Sequence, residues 1–233
     1  MYGNYGYYGY YGYNTGMLLL IPALILSLYA QAKVSSSFNK YLKIQSRLGY
    51  SGREVARMIL DKNGLNDVSI ETTGGQLTDH YDPRTKVVRL SKQVAEGRSI
   101  ASISVAAHET GHAIQHSEGY FPLLLRNNIA PIASISARFV WILILLGFII
   151  SPFFLEAGIL LYVGIVLFQV VTLPVEFNAS KRALYQLEGG FVDEEEVKPC
   201  KKVLKAAALT YVAATLVAIS QLIRLIGLSG RRR

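Results

Sequence analysis

The sequence predicts a mostly α, multi-span integral membrane protein that also contains a small antiparallel β-sheet. Of its 233 residues, 51% are apolar and only 17% are charged, and mean hydropathy is positive. A soluble domain would have too few charged side chains to cover so much apolar surface. Long uncharged stretches recur along the chain, and helical patterns lie between them. The one cysteine, Cys200, excludes an intramolecular disulfide framework and a zinc cluster held by cysteines.

Four apolar stretches are candidate membrane segments. Residues 17–32 carry no charge and are short for a bilayer that needs about 20 residues per helix. The second and third stretches, residues 139–154 and 157–175, predict a transmembrane helical hairpin over 139–175 with Glu156 at its tight connection. Residues 206–223 are a weaker candidate, either a fourth span packed through small residues or a buried soluble helix. The chain after 205 is therefore interpreted as a C-terminal apolar helix and a basic tail, residues 206–233.

The distribution of basic residues predicts the orientation. Residues 1–16 contain no charged side chain, whereas residues 33–62 contain seven Lys or Arg and two acids. Because basic segments stay inside, we expect the N-terminus outside and residues 33–138 and 176–205 in the cytosol of a prokaryotic cell. We assign the net charge of +8 to this asymmetry and not to nucleic acid binding. If residues 206–223 span, the arginines at 231–233 end up outside, against the rule.

The first 16 residues are a low-complexity tail of Tyr and Gly. A segment of this composition has nothing with which to form a packed core, so we expect it to be disordered. Its tyrosines suit a membrane interface. The alternative is an adhesive or partner-binding tail.

The segment that follows the first apolar stretch is predicted to be mostly helical up to Lys62. Within it, Ser51 and Glu54 have the spacing of a capping box, in which each side chain bonds the other's backbone N–H. Asn63-Gly64 then predicts a helix end in the left-handed conformation.

Short strands are predicted next. Residues 68–70 alternate briefly, and Gly74-Gly75 ends that strand. Residues 77–91 predict a hairpin whose turn, residues 82–85, has Pro at the second position, as a type I turn prefers. The hairpin's edge strand could hold an extended substrate by β-augmentation.

The following predicted helix carries a candidate metal-binding motif. Ser99 is predicted to cap a helix that runs to about His116 and contains His108-Glu109-Thr110-Gly111-His112. Spacing i, i+4 places both imidazoles on one face, where they suit a zinc ion. Glu109, one residue along, would instead act as the general base, accepting a proton from a water molecule at the metal. The flanking residues are small or apolar, as expected for a helix in a dry cavity.

A catalytic zinc needs a third protein ligand and an open position. His116 does not converge with the other two, because each four-residue step turns about 40° around a helix. The metzincin pattern requires Gly and His where this chain has Gln115 and Glu118. The gluzincin pattern instead takes a glutamate from a later helix.

Glu176 is the candidate for that ligand. It follows the hydrophobic hairpin, opens the predicted helix of residues 176–205 and lies on the same side of the membrane as His108. Glu188 and the acidic residues 193–196 are rivals. The acidic run is otherwise interpreted as a solvated helix start capped by Asp193.

Four separated motifs together resemble the YugP-type neutral zinc metallopeptidases, membrane relatives of the HtpX-like and CAAX-prenyl proteases. The motifs are LTDHYDP, VVRLS, SVAAHETGHAIQH and PVEFNASKRAL, and the likeness covers residues 17–225. It implies a helical zincin-type domain of the gluzincin class that faces the cytosol and cleaves peptide or membrane-protein substrates in membrane protein quality control. Glu176 matches the third ligand of HtpX-like enzymes. Those enzymes have Asp where this chain has Ser180, which puts the support of one zinc-bound His in question.

Peptide hydrolysis by a zinc-bound water also requires a hydrogen-bond donor that stabilises the oxyanion. The candidates for this role or for substrate binding are His80, Tyr81, His116 and Arg182. For His80 and Tyr81 the alternative is a hydrogen-bonded pair that flanks the turn.

Two other functions are compatible with parts of the sequence. One is a non-catalytic membrane scaffold or partner-binding protein, with a structural metal site closed by His116 or His80 as fourth ligand. Glu109 argues against it, since a structural site has no use for a general base. The other is a transporter, which would need ionisable residues within its spans, and the hairpin contains only Glu156.

Overall fold

The structure, a computed structural model, describes the backbone of residues 5–230 and the side chains of residues 17–230. It is 77% helical, with one three-stranded sheet in the described part. This confirms the predicted mostly α membrane protein. The elements are, in order, α1 (Tyr5–Leu42), α2 (Gly52–Lys62), β1 (Ser69–Thr73), β2 (His80–Asp82), β3 (Val87–Ser91), α3 (Lys92–Ala95), α4 (Ile100–Ser117), α5 (Phe121–Ile149), α6 (Pro152–Gln186) and α7 (Glu194–Ser229).

Within residues 5–230, four helical segments are long and apolar enough to cross a membrane, and each contains or overlaps one of the predicted stretches. They are Met17–Leu42, Phe121–Ile149, Pro152–Phe191 and Glu194–Ser229. The predicted hairpin connection is wrong in position. The chain turns at residues 150–151, and Pro152, whose fixed φ suits a first helical turn, opens α6. Glu156 therefore lies within α6.

The predicted disorder of the Tyr/Gly tail is also wrong over residues 5–16, whose backbone continues α1. Residues 1–4 lie outside the described part of the chain. Composition alone predicts no structure here. Extending an existing helix, however, adds a hydrogen bond for each residue ordered and needs no new nucleus.

The chain divides into two compact units. The first comprises Met1–Tyr29, Leu125–Leu173 and Tyr211–Arg233, and the second comprises Ala30–Leu124 and Pro174–Thr210. The first unit has a small buried cluster around Leu155, while many of its large apolar side chains are exposed, among them Leu160. Exposed apolar helix faces are what lipid contact requires. The second unit has the larger core, to which α2, β3, α4 and the start of α7 contribute.

The sheet of the second unit has strand order β1-β3-β2. The predicted hairpin is confirmed, since β2 and β3 pair antiparallel with Tyr81 opposite Val88. β1 pairs parallel to β3, with Ile70 opposite Val88, so the sheet is mixed and not wholly antiparallel. After β1 the chain reverses direction to form β2 on the far side of β3, and it reverses again to form β3. β1 and β3 therefore run in the same direction.

The predicted helix caps are present. Glu54 accepts from the Ser51 backbone N–H at 2.7 Å and Ser51 Oγ accepts from the Glu54 N–H at 3.3 Å. Gly64 follows α2 with a φ of 73°, the left-handed conformation that favours glycine. Ser99 Oγ accepts from the backbone N–H of Ser102 at 3.1 Å and so begins α4.

Asp193 caps α7 as predicted, accepting from the Glu195 N–H at 3.1 Å. The prediction that the whole acidic run is solvated is wrong at Glu196, which is buried. Its carboxylate accepts from Ser46 Oγ at 3.0 Å and from the Arg47 backbone N–H at 2.8 Å. These hydrogen bonds offset the cost of burying a carboxylate.

Candidate metal centre

The helix that carries the motif, α4, is almost entirely buried and lies very close to α6. A Cβ atom at Gly111 would be 2.7 Å from the carbonyl oxygen of Ala179, too close for any side chain. Glycine at this position therefore permits the two helices to approach. The approach places one face of α4 against the segment of α6 that begins with Glu176.

Three side chains converge at this crossing. The Glu176 Oε2 atom lies 3.2 Å from His108 Nε2 and 3.7 Å from His112 Nε2. One ligand atom from each residue lies within 4.8 Å of the other two. His112 and Glu176 are buried and His108 is partly buried. Two imidazole nitrogens and one carboxylate oxygen are a donor set that fits zinc, and three ligands leave a fourth position open.

The second nitrogen of His112 is held by a residue that the sequence analysis used only to reject the metzincin pattern. His112 Nδ1 lies 3.0 Å from Gln115 Oε1. The Gln115 amide nitrogen donates to Val175 O and to Asn178 Oδ1, each at 2.9 Å. These two bonds orient the amide so that its oxygen faces His112. His112 thus carries its proton on Nδ1, and the lone pair of Nε2 is available to a metal.

The second nitrogen of His108 lies beside the residue that departs from the HtpX-like pattern. Ser180 Oγ is 3.2 Å from His108 Nδ1. Ser180 is one helical turn beyond Glu176, so one face of α6 contacts His108 twice. A neutral hydroxyl therefore contacts His108 at the position where the HtpX-like pattern has a carboxylate.

Arg182 belongs to a network behind the three side chains. Its Nε donates to Asn178 Oδ1 at 2.7 Å, and its guanidinium forms an ion pair with Glu118 at 2.6 Å. Asn178 in turn accepts from Gln115. The network therefore links α6 to the end of α4 and positions the Gln115 amide.

Two of the four candidate oxyanion donors meet each other. Tyr81 Oη lies 2.8 Å from His116 Nδ1, and Tyr81 is buried. Burial raises the pKa of Tyr81 to about 12, so its hydroxyl keeps its proton. His80 is exposed and its Nδ1 lies 2.8 Å from Thr78 O. Tyr81 and His80 are therefore not a pair flanking the turn, since they lie on opposite faces of β2.

Glu109 is buried beside the three converging side chains without being one of them. Burial raises the pKa of Glu109 to about 7, and the charges of Glu176 and Asp79 act in the same direction. His108 and a hydrogen bond from the Tyr81 backbone lower it. Strand β2 therefore lies next to α4 at Glu109.

The rival third ligands are elsewhere. Glu188 is exposed. Glu195 forms an ion pair with Arg47 at 2.6 Å, and Glu196 accepts from the same residue's backbone. Among the described residues, His108, His112 and Glu176 form the one group of three with metal-binding side chains this close together.

Comparison with known proteins gives two matches. A family model described as "Putative neutral zinc metallopeptidase" matches residues 16–230. A curated protein of Bacillus subtilis (strain 168), described as "Putative membrane protease YugP", is 50% identical over 217 residues. The alignment covers 91% of this chain and 96% of that protein. No solved structure matches the chain significantly.

Proposed function

The chain belongs to this neutral zinc metallopeptidase family, and we propose that it is a gluzincin-type membrane endopeptidase whose zinc is held by His108, His112 and Glu176. The observation that carries the proposal is the convergence of these three side chains within 4.8 Å. Two imidazoles and one carboxylate match the donor set of a catalytic zinc site, in which the fourth position is open.

Zinc bound there would lower the pKa of a water molecule towards about 7 and polarise the scissile carbonyl. Glu109 accepts the proton of the attacking water and then donates it to the leaving amine, so that one proton passes from water to product. The position of Glu109 supports this role, since it is buried next to His108 yet outside the group of ligands.

Gln115 and Ser180 hold the two imidazoles in place in this proposal. Each contacts the Nδ1 atom of one histidine and leaves the Nε2 atom for the metal. Partners of this kind fix the ring orientation and the tautomer of metal-binding histidines. Arg182 supports Gln115 through Asn178 and is paired with Glu118.

For the oxyanion we favour Tyr81 with His116. Burial keeps the Tyr81 hydroxyl protonated, and its proton is available to the oxyanion when His116 donates its Nδ1–H to Tyr81 Oη. His80 is exposed and bonded to its own turn. Strand β2 is at an edge of the sheet and next to Glu109, which supports it as the place where an extended peptide substrate pairs.

Proteolysis by purified protein tests the function directly. In detergent, the full chain should contain about one zinc and cleave casein. A chelator should abolish cleavage, because water and Glu109 alone lack the Lewis acid. Stoichiometric zinc should restore it. Full activity in protein shown to be free of metal would contradict the proposal.

We also propose that residues 33–138 and 176–205 form a metallopeptidase region in the cytosol, and that residues 17–32 and 139–175 lie in the membrane. The support is the excess of Lys and Arg after the first span. With the active site on that side of a prokaryotic cytoplasmic membrane, substrates would be cytosolic peptides or membrane proteins, as membrane protein quality control requires.

Labelling in intact cells tests the orientation. With Cys200 replaced by Ser, a Tyr50→Cys variant should be shielded from an impermeant thiol reagent, because residue 50 lies in the proposed cytosolic region. A Tyr5→Cys variant should be labelled. Lysed cells are the control and should allow labelling of both. Labelling of residue 50 in intact cells would place the active site outside.

The scaffold alternative has less support. A structural zinc site is closed by four protein ligands, whereas three converge among the described residues. Of the proposed fourth ligands, His80 is exposed and bonded to Thr78, and His116 is bonded to Tyr81.

A further inference from the structure

A basic groove lies between the end of α1 and the start of α7. Its volume is about 610 Å³. Phe38 of α1 and Val203 and Leu204 of α7 belong to the same buried core, so both walls of the groove are packed. Four lysines line it: Lys33, Lys40, Lys202 and Lys205.

The spacing of the lysines places the two members of each pair on the same face of their helix, and that face lines the groove. Lys33 and Lys40 are seven residues apart on α1, and Lys202 and Lys205 are three apart on α7, so each pair shares one face of its helix. All four are exposed. Within the described residues none of them forms an ion pair. Four ammonium groups without a carboxylate partner favour an anionic ligand.

Two further groups of lining residues define the chemistry of that ligand. Ser36 and Ser37 lie between the two lysines of α1 and add hydroxyl donors. Leu209, which is partly buried, continues the α7 wall as an apolar surface. The groove therefore offers charge and hydrogen bonds at one part and apolar contact at another, which fits an amphiphile better than a free anion.

The position of the lysines along the chain indicates where the amphiphile comes from. Lys33 directly follows the apolar stretch 17–32 within a continuous helix, and Lys205 directly precedes 206–223. Both helices thus change from apolar to basic at the groove. That change marks the level of lipid headgroups on the side with excess Lys and Arg.

We propose that this groove binds the phosphate headgroup of an anionic phospholipid from the surrounding membrane. The four lysines neutralise the phosphate, the two serines donate hydrogen bonds, and Leu209 contacts the start of the acyl chains. Basic pockets between helices at a membrane surface bind anionic headgroups through this combination.

Lipid retention by the full chain tests the site. The protein is exposed in detergent to equal amounts of phosphatidylglycerol and phosphatidylcholine, and bound lipid is counted by native mass spectrometry. Wild type should retain phosphatidylglycerol preferentially. Replacing all four groove lysines by Gln should reduce that preference at least about tenfold, since each lysine near an anionic lipid contributes roughly fivefold.

The matched control removes the same charge elsewhere. Lys43, Lys92, Lys198 and Lys201 are exposed and outside the groove, and their replacement by Gln should leave the preference unchanged. A variant with Arg at the four groove positions keeps the charge and should also retain the lipid. An equal loss in the control variant, or no loss in the Gln variant, would overturn the proposal.

Competition with free phosphate distinguishes a lipid headgroup from a soluble phosphate compound as the ligand of the groove. Inorganic phosphate at the concentration of the lipid should leave phosphatidylglycerol bound, because it lacks the acyl contacts. Displacement at that concentration would assign the groove to a soluble phosphate compound and overturn the lipid proposal.

Discussion

Replacing Glu109 by Gln is expected to lower the rate of proteolysis by at least a hundredfold while zinc stays near one per chain. Gln has the shape of Glu and can still accept the hydrogen bond from the Tyr81 backbone, but it cannot take up a proton. General-base catalysis contributes about 10²–10⁴-fold, which sets the size of the loss. Zinc remains because Glu109 is not among the three converging ligands.

Casein cleavage and metal analysis on the same preparations measure both quantities. Glu188→Gln is the matched control, since this glutamate is exposed and distant in sequence from the motif, and it should cleave at the wild-type rate. Equal rates in wild type and Glu109→Gln, with zinc bound in both, would contradict the enzyme mechanism. Inactivity in all forms would favour the scaffold.

Replacing Glu176 by Ala is expected to weaken zinc binding at least about a hundredfold. Loss of a partner that only supports a ligand costs roughly 10–100-fold in metal affinity, and loss of a ligand should cost no less. The two histidines that remain on α4 give an incomplete site. Competition with a chelating dye of known affinity measures the change.

Glu188→Ala is the control and should bind zinc like wild type. Glu176→Gln preserves the volume of the buried side chain and removes its charge, so it separates a lost ligand from a disturbed helix contact. Unchanged zinc affinity in both Glu176 variants, with the wild-type helix content retained, would show that the third ligand is a different residue.

Several predictions that depend on neighbouring residues are confirmed. The capping box of Ser51 and Glu54, the N-cap at Ser99 and the antiparallel hairpin are all present. Caps and turns are interactions between residues a few positions apart, so a sequence window contains both partners. The apolar stretches were also found for a local reason, since hydropathy is a property of each segment.

Two of the predictions that failed depend on partners elsewhere along the chain. Glu196 is buried because it bonds residues 46 and 47, some 150 positions away. β1 runs parallel to β3 because of where the connection to β2 passes. The other two failures are local: the first residues of α1 continue a helix that already exists behind them, and Pro152 opens α6 before Glu156 is reached.

By itself the sequence determined the membrane class, the helix with His108, Glu109 and His112, and the short set of acids that could complete a metal site. Only the tertiary structure decided which acid lies beside the histidines. Glu176 is 68 residues from His108, and the close approach of α4 and α6 at Gly111 brings the two together. It also decided that Gln115 and Ser180 hold the imidazoles. Spacing on one helix follows from its 3.6-residue period, whereas the meeting of two helices follows from how their surfaces pack.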